Sequence, residues 1–206
     1  MSIIEAFFLI ALAYLVGAFS TGYFLGTLKG INLREKGSGS TGATNVVRNL
    51  GWGLGVVAFI VDLAKAMAMI LLVREMTNSP FMEMLCGLAV VAGNCWSVYF
   101  KSPAGKGVTS SLGVMLLFSP FPTLGGLLVA IVLVVAKRYV SLGSLVGATT
   151  VLLLVLAYSN YYFLPLEYRI FAFLAWLVIL LRHADNIGRL ALGTERKLGQ
   201  KETVEG

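Results

Sequence analysis

Long apolar blocks alternate with short breaks of charge, proline and glycine, and the blocks predict helices near 2–28, 53–73, 81–100, 105–119, 122–137, 143–164 and 167–182. A run of about 20 apolar residues is what a helix needs to cross the hydrocarbon core of a bilayer. The pattern therefore predicts an all-α integral membrane protein with about seven crossings, residues 1–206 forming one transmembrane domain. The fourth and fifth blocks are short. About 15 residues reach roughly 22 Å, less than the ~30 Å core, so these two predict irregular spans or a locally thinned bilayer. Five crossings, with 105–137 as a re-entrant hairpin, fit the same pattern. No Lys or Arg precedes the first block, and it is too long for the apolar part of a signal peptide, so it is expected to remain as a helix.

Composition reinforces this reading. Of 206 residues 58% are hydrophobic and only 13% charged, and the mean hydropathy of +0.86 lies outside the range of soluble domains. The charges that remain are unevenly placed. Lys29, Arg34, Lys36 and Arg48 fall in one break, Lys101 and Lys106 in another, Lys137 and Arg138 in a third, and Arg182, Arg189, Arg196, Lys197 and Lys201 in the tail. Alternate breaks hold only Arg74 beside Glu75, nothing at 119–122, and Arg169 near Glu167. Cytoplasmic loops collect Lys and Arg, which predicts an outside N-terminus and a cytoplasmic C-terminus. Topology then explains most of the net charge of +6 and removes the argument for a nucleic-acid partner. Cys86 and Cys95 lie nine positions apart on one predicted helix, on roughly opposite faces. They cannot pair, no metal-ligand spacing is present, and they read as small apolar fillers.

The polar chemistry is concentrated in the basic breaks. Ser38, Gly39, Ser40, Thr41, Gly42, Ala43, Thr44 and Asn45 form a glycine and hydroxyl-rich segment that closes on Arg48. Such a segment suits a phosphate: glycines let backbone N–H groups converge, hydroxyls add donors, and arginine supplies a charged fork. The G-x-G-x-x-G spacing from Gly37 to Gly42 lacks the strand and helix flanks of a dinucleotide fold. Gly105, Lys106 and Gly107, followed by Thr109, Ser110 and Ser111, repeat the anion-site pattern at the start of a short helix. Phe100 and Gly107 stand where a Walker A loop needs Gly and Ser or Thr. Ser141 follows Lys137 and Arg138 at a helix boundary. In the tail segment, His183, the sole histidine, stands with Asn186 and Arg189. Asp62 and Lys65, three positions apart inside the second helix, are costly in a bilayer and predict a mutual pair or a brace for the site.

The stretches SGSTGATNVVR, the segment ending GKGV, and RHADNIGRL with GTE after it are similar, in that order, to the three cytoplasmic motifs of the bacterial acyl-phosphate:glycerol-3-phosphate acyltransferases, the PlsY family. The likeness extends over nearly the whole chain. It implies a multi-pass protein of the inner membrane that transfers a fatty acyl group from acyl phosphate to the 1-hydroxyl of glycerol 3-phosphate, giving lysophosphatidic acid in phospholipid synthesis. It implies no cofactor and identifies no protein partner. It marks Arg48, Lys106, His183 and Asn186 as catalytic. It marks Ser38, Gly39, Ser40, Thr41, Gly42, Ala43, Thr44, Asn45, Gly105, Gly107, Ser141 and Arg189 as substrate-binding, with no metal. The chain departs from the family pattern at Ser40, usually Asn, at Asn94, usually His, and at Ser97, usually Pro. It departs again at Pro103, usually Lys, and at Ala104, usually Gly.

The residues themselves agree with direct transfer. Acyl phosphate carries a good leaving group, so positioning and charge stabilisation can suffice. No cysteine lies where a nucleophile would be needed, no Ser-His-Asp spacing is present, and Gly188 stands where an H-x-x-x-x-D pair needs its acid. Two other classes fit part of the pattern. One is a carrier for a small organophosphate, suggested by Asp62, Lys65 and the short helices. The other is a catalytically weak relative acting as a membrane partner, suggested by the changed second motif.

Overall fold

A computed structural model describes residues 2–100, 104–159, 161 and 163–200. Lys101, Pro103 and Lys201 lie outside the described residues. All regular structure among the described residues is helical: α1 (Ile3–Ala18), α2 (Thr21–Leu28), α3 (Ala43–Leu50), α4 (Trp52–Thr77), α5 (Pro80–Cys95), α6 (Val108–Phe118), α7 (Pro120–Lys137), α8 (Val140–Tyr158), α9 (Leu166–Arg182) and α10 (Ala184–Ala191).

The expected first helix, 2–28, is two helices. α1 and α2 meet at Phe19 and Ser20 with a 42° bend. Ser20 caps α2 by accepting from the Tyr23 amide at 3.2 Å. Across the break, the Lys65 ammonium donates to the carbonyls of Phe19 and Gly17, groups that a continuous helix would have used itself. Lys65 also pairs with Asp62 at 2.8 Å, and Thr21 donates to the same carboxylate at 2.7 Å. The expected pair thus exists, and it braces the break.

Length and apolarity allow α4, α7 and α8 to cross a membrane singly. The bent pairs α1 with α2 and α9 with α10 raise the number to five, and α5 and α6 are shorter apolar helices. α6 has only 11 residues, in line with a short fourth element, whereas α7 with 18 is a full-length span rather than a short one.

Helices α1 and α5 pack closely, as do α7 and α8, because glycine removes the intervening side chain. A Cβ on Gly93 would meet the Tyr14 carbonyl at 2.1 Å, and one on Gly126 the Gly147 carbonyl at 2.6 Å. The main core of α1, α4, α5, α6 and α9 includes Ile70, Val73, Val90, Val91, Val114 and Phe171, all at most 1% exposed. Cys86 and Cys95 are buried there as free thiols. Burying a side chain of this size contributes about 1.5–3 kcal/mol in water, but lipid-facing surface gains nothing comparable. That explains the wide exposed apolar surface of α1, α4 and α7.

Candidate active site

Four segments distant in sequence meet at one end of the bundle. The segment expected as a loop after α2 is partly helical, since α3 carries Ala43, Thr44, Asn45 and Arg48. Gly42 is its N-cap and its side-chain-free position leaves the first amides without a side-chain acceptor, the arrangement that favours an anion.

Asn45 holds the first loop together. It is 1% exposed, its amide nitrogen donates to the carbonyls of Leu33, Lys36 and Ser40 at 2.8–3.1 Å, and its oxygen accepts from the Ser38 amide and from Asn49. These bonds shape the loop from within, and Asn45 also borders the cavity. Thr41 is also buried, and its amide donates to the Ala104 carbonyl, tying the first loop to the second. Ser38, Ser40, Gly42, Ala43, Thr44, Asn45 and Arg48 line a cavity wall.

The second segment is held by Asn94, whose side-chain oxygen accepts from the Gly107 amide at 3.2 Å and whose carbonyl accepts from Gly105. Gly107 has φ +76, a conformation that glycine adopts without strain. Gly105 does not reach the cavity wall. A Cβ there would strike Asn94 Oδ1 at 2.3 Å, and its carbonyl accepts from both Nε and Nη2 of Arg182. Among the described contacts it packs on Asn94 and anchors Arg182. The departures from the family pattern have partners of their own. Ser97 donates to the Ala18 carbonyl at 2.9 Å, and the Ser40 hydroxyl accepts from the Gly42 amide at 3.2 Å.

The last spanning helix ends at Arg182, as its predicted bound has it, and the chain turns at His183 with a 59° bend between α9 and α10. The break places His183 beside Asn186 and lets the following turn return Glu195 into the site. Glu195 is the residue that sequence reasoning passed over. It is 7% exposed and joins α8 to α10: its Oε1 accepts from Ser141 and Asn186, each at 2.7 Å, and its Oε2 from Arg189 at 2.9 Å. Asn186 in turn accepts from the Lys106 ammonium at 2.6 Å. A continuous line therefore runs Lys106, Asn186, Glu195, then Ser141 and Arg189. Its signal was an isolated acid amid a basic tail, in the GTE that follows α10.

Burial pushes the Glu195 carboxyl up, but its hydrogen bonds from Ser141, Asn186 and Arg189 outweigh this and hold it below the usual value. Burial depresses Lys106 to about 8; Glu195 opposes the shift, while Arg189, Arg48 and Arg182 add to it. His183, just beyond α9, is lowered to about 4 by burial and by the Lys106 charge. It is a neutral imidazole at pH 7. Its Nδ1 lies 2.8 Å from the Ile179 carbonyl, so Nδ1 carries the proton and Nε2 the lone pair.

Two cavities share this wall. One, about 500 Å³, descends from Arg48, Lys106, His183 and Asn186 between apolar side chains of α6, α7, α8 and α9. The other, about 510 Å³, is polar, and among the described residues Arg34, Arg48, Lys106, Arg182, Arg189 and Arg196 line it together with Asp185 and Glu195. This excess of cations suits an anion, and the adjoining apolar cavity suits a hydrocarbon chain. Gly39 lines only the polar cavity, and so does Arg189.

The family profile described as Glycerol-3-phosphate acyltransferase matches residues 7–193. A glycerol-3-phosphate acyltransferase of Shouchella clausii is 41% identical over 191 residues, covering 91% of this chain and 93% of that protein. One from Rippkaea orientalis is 39% identical, covering 96% and 94%. The fold matches crystal structures of PlsY (YgiH), an integral membrane glycerol 3-phosphate acyltransferase. Its glycerol 3-phosphate form superposes with a TM-score of 0.87 at 36% identity, covering 95% of this chain and 96% of that one. Its lysophosphatidic acid form gives 0.85 at 34% identity over the same shares.

Proposed function

The chain belongs to the glycerol-3-phosphate acyltransferase family, and on that premise we propose that it takes its acyl group from acyl phosphate and transfers it directly to the 1-hydroxyl of glycerol 3-phosphate. The observation that carries the reading is the junction of a cation-rich chamber with an apolar cavity, both bordered by Arg48, Lys106 and Asn186. Two phosphate-bearing substrates, one with a hydrocarbon tail, need that combination.

In this reading Ser38, Ser40, Gly42, Thr44 and the first amides of α3 receive the acyl-phosphate head, while its chain lies in the apolar cavity. Arg48 and Lys106 hold the phosphate of glycerol 3-phosphate, with Asn186, Ser141 and Arg189 kept in place by Glu195. The glycerol oxygen attacks the acyl carbonyl, a carbon–oxygen bond forms, and the bond from that carbon to the phosphate oxygen breaks. The hydroxyl proton passes to the departing phosphate. His183 is a weak base at its depressed pKa, so its Nε2 orients the hydroxyl by accepting a hydrogen bond. The fixed cations stabilise the charge that develops on the carbonyl oxygen and the leaving group.

The basic breaks support seven crossings of the inner membrane, with this end of the bundle in the cytoplasm, where glycerol 3-phosphate is dissolved. A single-turnover assay of purified protein in lipid tests the donor. Palmitoyl phosphate and labelled glycerol 3-phosphate are expected to give labelled lysophosphatidic acid, with acyl-CoA and acyl carrier protein thioesters inactive. Label from a thioester but not from acyl phosphate overturns the donor assignment. Uptake into vesicles without conversion overturns the enzyme reading in favour of a carrier.

A further inference from the structure

The apolar cavity ends against a built floor, and we infer that this floor gauges the length of the acyl chain, with Met115 and Ala172 as the residues that set the limit. The inference rests on the reading of that cavity as the acyl site. On α9 the wall runs from His183 to Ala172, 11 positions, about 16 Å at the helical rise. On α6 it ends at Met115, and on α7 at Thr123. Met115 and Ala172 are each 4% exposed and Thr123 is fully buried.

What lies beyond is closed and braced. One turn past Ala172 the Tyr168 ring stacks on Phe118, centroids 4.0 Å apart at 7°, and Phe171 meets Phe118 edge-on at 5.2 Å. The Tyr168 hydroxyl donates to Glu83 at 2.9 Å. Arg74 pairs with the same carboxylate at 2.7 Å and donates to the Leu117 carbonyl at 3.4 Å. Thr123 donates to the Met115 and Ser119 carbonyls and so ties the turn between α6 and α7. Helices α4, α5, α6, α7 and α9 are thereby joined directly under the cavity. An aromatic stack with a bonded ion pair behind it does not yield to one more methylene as a loose lipid-like interior would.

The chain has one alternative course. Ile131, on the α7 side of the cavity, is 51% exposed, so a tail lying across that wall would leave toward lipid and never reach Ala172. The two courses differ in what the floor residues do to chain-length preference.

The experiment measures kcat/KM for a series of acyl phosphates from octanoyl to stearoyl, with labelled glycerol 3-phosphate, in protein reconstituted in lipid. Ala172→Leu fills the end of the cavity and is expected to raise the octanoyl-to-palmitoyl ratio about tenfold, the scale on which a hydrophobic pocket discriminates small differences in length. Met115→Ala deepens the cavity and is expected to move the stearoyl-to-palmitoyl ratio upward by several fold. KM for glycerol 3-phosphate, bound at the other end, is expected to stay within twofold. If Ala172→Leu does not fold, Met115→Ala decides alone. Normal product formation with unshifted ratios overturns the gauge and leaves the donor reading standing. Failure of every acyl phosphate with the unaltered protein overturns both.

Discussion

Two buried carboxylates, one at each end of the bundle, are built from similar parts and do different work. Glu83 accepts from Arg74 and Tyr168, and Glu195 accepts from Arg189, Asn186 and Ser141. Around Glu83 one cation meets one anion, and aromatic rings close the space. Around Glu195 the cations outnumber the acids, and two cavities open beside it. A matched pair in a closed setting is complete and stabilises the fold. A group in which cations outnumber acids among the described residues, beside open space, suits a ligand of opposite charge. The contrast shows that a buried ion pair identifies a site only together with the charge left over and the space next to it.

Removing Glu195 is the strongest way to break the comparison. Glu195→Ala leaves Arg189, Asn186 and Ser141 without their shared acceptor, and kcat/KM is expected to fall on the order of a hundredfold, because three positioning hydrogen bonds to one charged acceptor are lost together, each worth about 1 kcal/mol with Arg189 partly solvated. On the proposed assignment Arg48→Ala and Lys106→Ala each remove one charge-assisted contact to substrate, worth about 1.5–3 kcal/mol, so each is expected to lower kcat/KM for glycerol 3-phosphate roughly 10- to 100-fold. Steady-state kinetics in lipid checks all three, and unchanged values for Arg48 and Lys106 variants contradict the anion assignment. At the far end the ranking reverses. Glu83→Gln is expected to cost about 2 kcal/mol, since Arg74 is 36% exposed and partly solvated. In a melting scan that is a fall of roughly 4–8 °C, with a far smaller effect on glycerol 3-phosphate kinetics than any of the site variants.

The two ends also differ in how much of them the sequence makes legible. Local spacing exposed the glycine-rich segments, Lys106 and the His183 to Arg189 cluster, because each is a run of unusual residues within a few positions. Local pattern also revealed Asp62 and Lys65, three apart on one helix. It failed where pairing depends on tertiary approach. Ser141 and Glu195 are 54 positions apart, and Arg74 reads as a partner of adjacent Glu75 although it bonds Glu83. The α1–α2 break was invisible because its free carbonyls are taken by Lys65, from a different helix. Asn45 shows a second part that spacing hides: it lies on the cavity wall, and its amide also donates to three backbone carbonyls of its own loop.

The smallest expected effects concern pH, and they separate charge from structure. Lys106 titrates near 8 because burial disfavours its ammonium, so kcat/KM for glycerol 3-phosphate should decline as pH rises through about 8. Stability should move the other way. Between pH 8 and the unfolded lysine value near 10.5 the unfolded chain holds more protons than the folded one, so this group's contribution to stability increases with pH. A loss of activity there without a loss of melting temperature therefore reports the lysine charge and not unfolding. His183, lowered to about 4, stays neutral across that range. His183→Ala is expected to reduce the rate while leaving the shape of the profile between pH 5 and 9 intact. A missing limb near pH 6 to 7 in the variant, present in the unaltered protein, would show instead that His183 exchanges a proton during turnover and acts as the base.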